Sequence, residues 1–169
     1  MMQLSFPASK GTLMVRAETG DYQIAMADQI LEAARQAIQQ KVQRGESFRS
    51  PVHVQTYLRT QLSGYEHEVF AVLFLDTKLR LIEYAELFHG TIDGASVYPR
   101  EVVKAALTFN AAAMVIAHNH PSGDPEPSAA DRALTKRLAQ ALALVDVRIL
   151  DHVVVGGNAT VSFAERGLL

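Results

Sequence analysis

Two histidines flank one residue in His118-Asn119-His120, and ten residues separate the second from Asp131. On an extended segment, positions i and i+2 project to the same side, so both rings can reach one ion. If Ser128 caps the helix that follows, Asp131 sits four positions into it and can point back at the strand end. Two imidazoles and one carboxylate make three ligands for a zinc ion, with the fourth position left to water. A closed structural site would need four protein ligands. An open one argues for hydrolysis, with one zinc per chain. Ser128-Ala129-Ala130-Asp131 also fits a capping box, which needs no metal, and the local sequence leaves both readings of Asp131 open.

A hydrolase also needs a group to take the proton of its water. Glu68, at the start of the first core strand, is the candidate, with Glu66 as the alternative. Ser128 is suited to donate a hydrogen bond to a developing oxyanion. Standing alone, Glu68 would read as a solvated carboxylate. His152, after Asp151 in a strand pattern, fits either a core or edge histidine or a residue behind the metal ligands. His53, His67 and His89 have no companions at ligand spacing and read as surface residues. Arg100 and Glu101 follow Pro99 as helix N-terminal charges or a local ion pair.

The elements that must position these groups follow from periodicity. Ala113 to His118 is a short apolar strand, and Asn119 to Pro127 holds three prolines and a glycine, so it must be a loop. Ser128 to about Leu144 is helical, Val147 to Val155 a strand, Gly156-Gly157 a turn, and Ala159 to Phe163 a last strand. Upstream, Glu68 to Leu75 and Leu79 to Phe88 form a hairpin around Asp76–Lys78. Gly90 to Tyr98 is loop-like, and Pro99 opens a helix running to about Ala111. Ser50-Pro51 starts a helix carrying Val54, Tyr57, Leu58 and Leu62, with Gly64 as its stop. Ile24, Ile30, Leu31, Ala34, Ile38 and Val42 make one helical stripe from about Tyr22 to Arg44, and Glu46 to Ser50 reads as a hinge. Met1 to Asp21 show no period. The class is α/β, a mixed sheet flanked by helices, with an N-terminal helical segment at 1–49 and a core domain at 50–169. The stripe is a packing face for the rest of the chain or for a partner, a homo-oligomer included.

Bulk properties bound the function. In 169 residues there are 16 Lys and Arg against 18 Asp and Glu, so no global basic field draws nucleic acid. Arg35, Lys41, Arg44 and Arg49 read as a solvated face before a nucleic-acid patch. Without cysteine, thiolate zinc sites, iron–sulfur clusters and disulfides are excluded, which fits a cytoplasmic protein. The first twelve residues lack a signal-peptide pattern, and no apolar run is long enough to span a membrane. HExxH, HxxEH, P-C-x-x-C, the phosphate loop and G-x-S-x-G are all absent. The three consecutive letters H-N-H do not make an HNH nuclease, whose residues are spread over a longer ββα unit.

His118-x-His120, seven residues, Ser128, two residues, Asp131 resembles the H-x-H-x7-S-x2-D pattern of JAMM metallopeptidases. The stretches HNHPSG from His118, EVFAVLFLD from Glu68, VYPREV from Val97, LDH from Leu150 and SFAERG from Ser162 resemble the bacterial RadC branch of that superfamily. The likeness runs from about Pro51 to the C-terminus. It implies a JAB/MPN fold of cytidine-deaminase-like architecture and a zinc held by His118, His120 and Asp131. It further implies that Glu68 polarises the water, that Ser128 assists the oxyanion, and that a peptide or isopeptide bond is cut. Full-length RadC proteins resemble a helix-hairpin-helix module joined to this domain, and residues 1–49 show no glycine hairpin of that kind. A non-catalytic scaffold in a DNA-repair or mobile-element complex is the alternative reading, and a metal-dependent nuclease a third.

Overall fold

The computed structural model describes residues 4–5, 13–16, 21–41, 47–90 and 96–169. The chain forms two compact units, Met1–Val42 and Gln43–Leu169.

In the first unit, β1 (Leu4–Ser5), β2 (Met14–Arg16) and β3 (Tyr22–Ile24) form an antiparallel sheet in that order, followed by α1 (Ala27–Lys41). The helix expected from Tyr22 therefore begins five residues later. Tyr22-Gln23-Ile24 pairs with Arg16, Val15 and Met14, a tertiary demand that overrides the helical stripe. The helix starts at Ala27 because the Gln29 side chain reaches back to accept the Met26 N–H at 2.9 Å. Ile30, Leu31 and Ala34 are half-buried, whereas Ile24, on the strand, is exposed. Val42, Arg44 and the start of the expected hinge at Glu46 lie outside the described residues.

The second unit opens with an anchored segment where a hinge was expected. Ser47 bridges Arg80, the Phe48 N–H bonds the Leu79 carbonyl at 2.8 Å, and the buried Phe48 ring packs on His53 and Tyr57. Then come α2 (Pro51–Leu62), β4 (Val69–Leu75), β5 (Leu81–His89), α3 (Pro99–Thr108), β6 (Ala113–Asn119), α4 (Ala129–Ala143), β7 (Arg148–Gly156) and β8 (Ala159–Ser162). Strand order is β5-β4-β6-β7-β8, with β6 and β7 parallel and every other pair antiparallel. Residues 91–95 of the expected loop lie outside the described residues.

Alternation along the buried central strands sorts their side chains onto two faces. Phe70, Val72, Phe74, Met114 and Ile116 pack with Val102 and Ala106 of α3 and Leu138 and Leu142 of α4. Helix α2 packs on β6, β7 and β8, and its buried Leu58 and Leu62 lie outside that cluster, so it covers the other face. Burying β4 and β6 on both sides holds the end of β6 rigidly where the histidines emerge.

Two helix ends explain shorter helices than the sequence suggests. Asn110 and Asp146 take positive φ, 50° and 57°, in place of a stop glycine. The N–H groups of Ala111 and Val147 then bond back to Ala106 and Leu142, closing Schellman turns after α3 and α4.

Candidate metal centre

The parallel pairing of β6 with β7 sets His118 beside Val154, and the His120 N–H bonds the Val155 carbonyl at 2.8 Å. His118 is buried and His120 half-buried at the strand end. Ser128 is the N-cap of α4, and its hydroxyl accepts from the Asp131 N–H at 3.1 Å. Oδ2 of Asp131 returns the contact, accepting from the Ser128 N–H at 2.7 Å and its hydroxyl at 2.6 Å. The capping box is thus complete, and the same carboxylate also faces the histidines. The capping reading of Asp131 holds, and the cap aims the carboxylate at the two histidines.

His118 Nε2 lies 2.9 Å from His120 Nε2. His118 Nε2 to Asp131 Oδ1 is 3.4 Å, and His120 Nε2 to Asp131 Oδ2 is 3.6 Å. Bonds of roughly 2.0 Å in a tetrahedral zinc site hold donor atoms about 3.3 Å apart. His118, His120 and Asp131 are the one group among the described residues whose donor atoms converge in a way that could hold a metal ion. The donor chemistry fits as well. His120 Nδ1 sits 2.7 Å from the Asp124 carbonyl, which can only accept, so Nδ1 carries the proton and Nε2 of the neutral ring is bare. A bare nitrogen packed among a second nitrogen and a carboxylate calls for a cation.

The electrostatics follow. Burial pushes Asp131 up, but the facing His118 and His120 rings and the Ser128 hydroxyl outweigh it and hold the carboxyl well below the usual range. The Asp131 carboxylate, opposed by burial and helped by the Asp124 carbonyl, raises His120. The charge of Glu68 also acts on His120. In the β4–β6 ladder Phe70 pairs with His118, the last pair at that end, and Glu68 immediately precedes β4. Glu66 lies in the loop lining a cleft of about 290 Å³ beside His120, between Gly64–Glu66 and the glycines Gly123 and Gly157. A larger groove of about 990 Å³, between α4 and β7, includes none of the three converging residues.

Two supporting residues have no local signature. Asn119, between the histidines, is buried and bonds the backbone on either side of Glu68: Oδ1 takes the Val69 N–H at 2.8 Å and Nδ2 donates to the His67 carbonyl at 3.0 Å. Thr135, one turn along α4 from Asp131, places its hydroxyl 2.6 Å from His152 Nδ1. His152 is fully buried between Phe70 and Phe163, with its Nε2 2.8 Å from His118 Nδ1, and burial drives its basicity far down. Of its two sequence readings, a core histidine and a residue behind the ligands, the structure places it as both. Its partner Asp151 accepts from Ser162 Oγ and from the N–H groups of His152 and Ala164. Expected as surface residues, His53 and His67 are half-buried against Phe48 and Tyr65, and His89 is exposed. Glu101 takes Arg100 and Lys104 as ion partners at 3.9 and 3.7 Å.

A five-stranded mixed sheet with helices on both faces is the architecture of a JAB domain. The family model described as "RadC-like JAB domain" matches residues 48–168. This chain belongs to that family. It is 61% identical over 147 residues to a "UPF0758 protein" of Vibrio cholerae, covering 87% of this chain and 92% of that one. It is 54% identical over 162 residues to a "UPF0758 protein" of Halorhodospira halophila, covering 96% and 72%. A Thioalkalivibrio sulfidiphilus relative, "UPF0758 protein Tgr7_0100", is 51% identical over 166 residues, 98% of this chain and 71% of its own. Among the described residues, no helix is long and apolar enough to cross a membrane.

Proposed function

We propose that this protein is a zinc-dependent hydrolase of the JAMM type, a cytoplasmic metallopeptidase acting on peptide or isopeptide bonds. One observation carries the reading: two imidazole nitrogens and a carboxylate converge at the spacing of a tetrahedral metal site, with only three protein donors. Zinc held there would polarise a water molecule and a substrate carbonyl. Glu68, just ahead of β4 and close enough for its charge to act on His120, takes the proton the water gives up and returns it to the leaving amine. Ser128 holds Asp131 at rest through its single hydroxyl proton, and turns that proton to the developing oxyanion when substrate arrives. The cleft beside His120 receives the chain on one side of the scissile bond. The stripe of α1 is a candidate surface for self-association.

Zinc stoichiometry measured together with cleavage of a peptide library tests this reading. One zinc per chain, with cleavage that a chelator stops, is the expected result. Zinc without cleavage of any peptide leaves the scaffold reading, and chelator-sensitive cutting of DNA leaves the nuclease reading.

A further inference from the structure

The geometry points to Thr135 and His152 as a positioning pair that selects which nitrogen of His118 faces the metal. This inference rests on the metal centre proposed above and asks how its most buried ligand is held in the ligating form.

The argument is a chain of donors and acceptors with one fixed end. Thr135 Oγ1 lies 2.6 Å from the backbone carbonyl of Asp131. A carbonyl oxygen can only accept, so the one hydroxyl proton of Thr135 is committed there. The second contact of that oxygen, 2.6 Å to His152 Nδ1, must then be accepted, and Nδ1 carries the ring proton. Fully buried between the Phe70 and Phe163 rings, with no carboxylate among the described residues at its ring to balance a charge, His152 holds only this one ring proton, so its Nε2 is bare. That bare nitrogen sits 2.8 Å from His118 Nδ1, which must therefore donate. What remains on His118 is an unprotonated Nε2, aimed at His120 and Asp131.

Each link is forced by the one before it, and the first lies on Asp131 itself. The backbone of this residue anchors the relay while its carboxylate joins the metal site, so helix α4 sets two of the three ligands. Remove the Thr135 hydroxyl and the order is lost. His152 is then free to carry its proton on Nε2, which turns His118 Nδ1 into an acceptor and puts a proton on the atom meant for the metal. Partners behind metal-bound histidines are typically worth about 10- to 100-fold in metal affinity.

The test compares the full chain with Thr135→Val and Thr135→Ser. Valine keeps the shape and removes the hydroxyl, and serine restores it. Zinc affinity is read by competition with a chromophoric chelator. The expected result is a 10- to 100-fold weaker affinity for T135V and near-native affinity for T135S. Equal affinity in T135V and wild type would overturn the inference. A second readout needs no metal: in ¹⁵N-histidine-labelled wild type, two-bond proton–nitrogen correlations should show His152 as the Nδ1–H tautomer. An Nε2–H tautomer overturns the relay whatever the variants do. Wild-type protein that binds no zinc, yet shows the Nδ1–H tautomer, overturns the metal centre and upholds the relay.

Discussion

Asn119 holds Val69: its Oδ1 accepts the Val69 N–H at 2.8 Å, fifty positions away in the chain, while its Nδ2 donates to the carbonyl of His67. The residue bracketed by these two bonds is Glu68. The amide between the two histidines therefore ties the end of β6 to the start of β4, beside the proposed base.

Asn119→Ala should leave the buried Val69 N–H unpaired, a cost of about 1–3 kcal/mol. The urea midpoint should fall accordingly. Turnover should fall further than zinc occupancy, because Glu68 loses its setting while the three ligands stay. Equal losses in both would dissociate Asn119 from Glu68.

Glu68→Gln and His118→Ala should separate chemistry from metal binding. The glutamine variant keeps one zinc per chain and loses roughly 10²- to 10⁴-fold in turnover, the usual worth of a general base. The alanine variant loses both. Normal turnover by the glutamine variant would remove Glu68 from the mechanism.

Ser128→Ala divides the two parts proposed for that hydroxyl. Loss of the cap should cost about 1 kcal/mol, which in a chain of this size lowers Tm by roughly 2–4 °C. Loss of an oxyanion donor should add a roughly 10²- to 10³-fold fall in kcat at saturating zinc. A drop in Tm with kcat intact would leave Ser128 as a cap alone.

Gly156 leaves no room for a side chain. A Cβ there would meet the Pro125 nitrogen at 2.4 Å, and the Asp124 carbonyl carbon and Gly123 oxygen at 2.7 Å. Gly156→Ala must push away the loop whose Asp124 carbonyl holds His120 Nδ1. The expected cost is about 1–3 kcal/mol in thermal unfolding, together with weaker zinc binding in a chelator competition. Native zinc affinity in this variant would show that the Asp124 contact does not set His120.

Asp151 gives a pH signature. Burial pushes its carboxyl above the ordinary value of 3.8, against hydrogen bonds from Ser162, Ala164 and His152. A carboxyl raised in the folded state contributes stability that is fully present below the unfolded value and is lost as pH rises through the folded one. The wild type should therefore gain stability relative to Asp151→Asn as pH falls from neutral toward 4. Urea midpoints of both proteins at pH 7 and pH 5 measure this difference, and a change of opposite sign would refute it.

The candidate ligand set, the Pro-rich loop between its members and the order of strands and helices in the second unit were legible in the chain alone. Those features are local: spacing fixes which side chains share a face, and proline and glycine fix where a strand must end. The sequence also held the serine–aspartate cap, although nothing local could say that cap and candidate ligand coincide. Tertiary structure decided the rest. Tyr22–Ile24 became a strand because β2 was there to pair with it. His152 came to lie behind His118, and Asn119 beside Val69, through the pairing of β6 with β7 and with β4. Such partners lie 34 to 50 positions apart, and their meeting depends on strand register, which a single strand does not record.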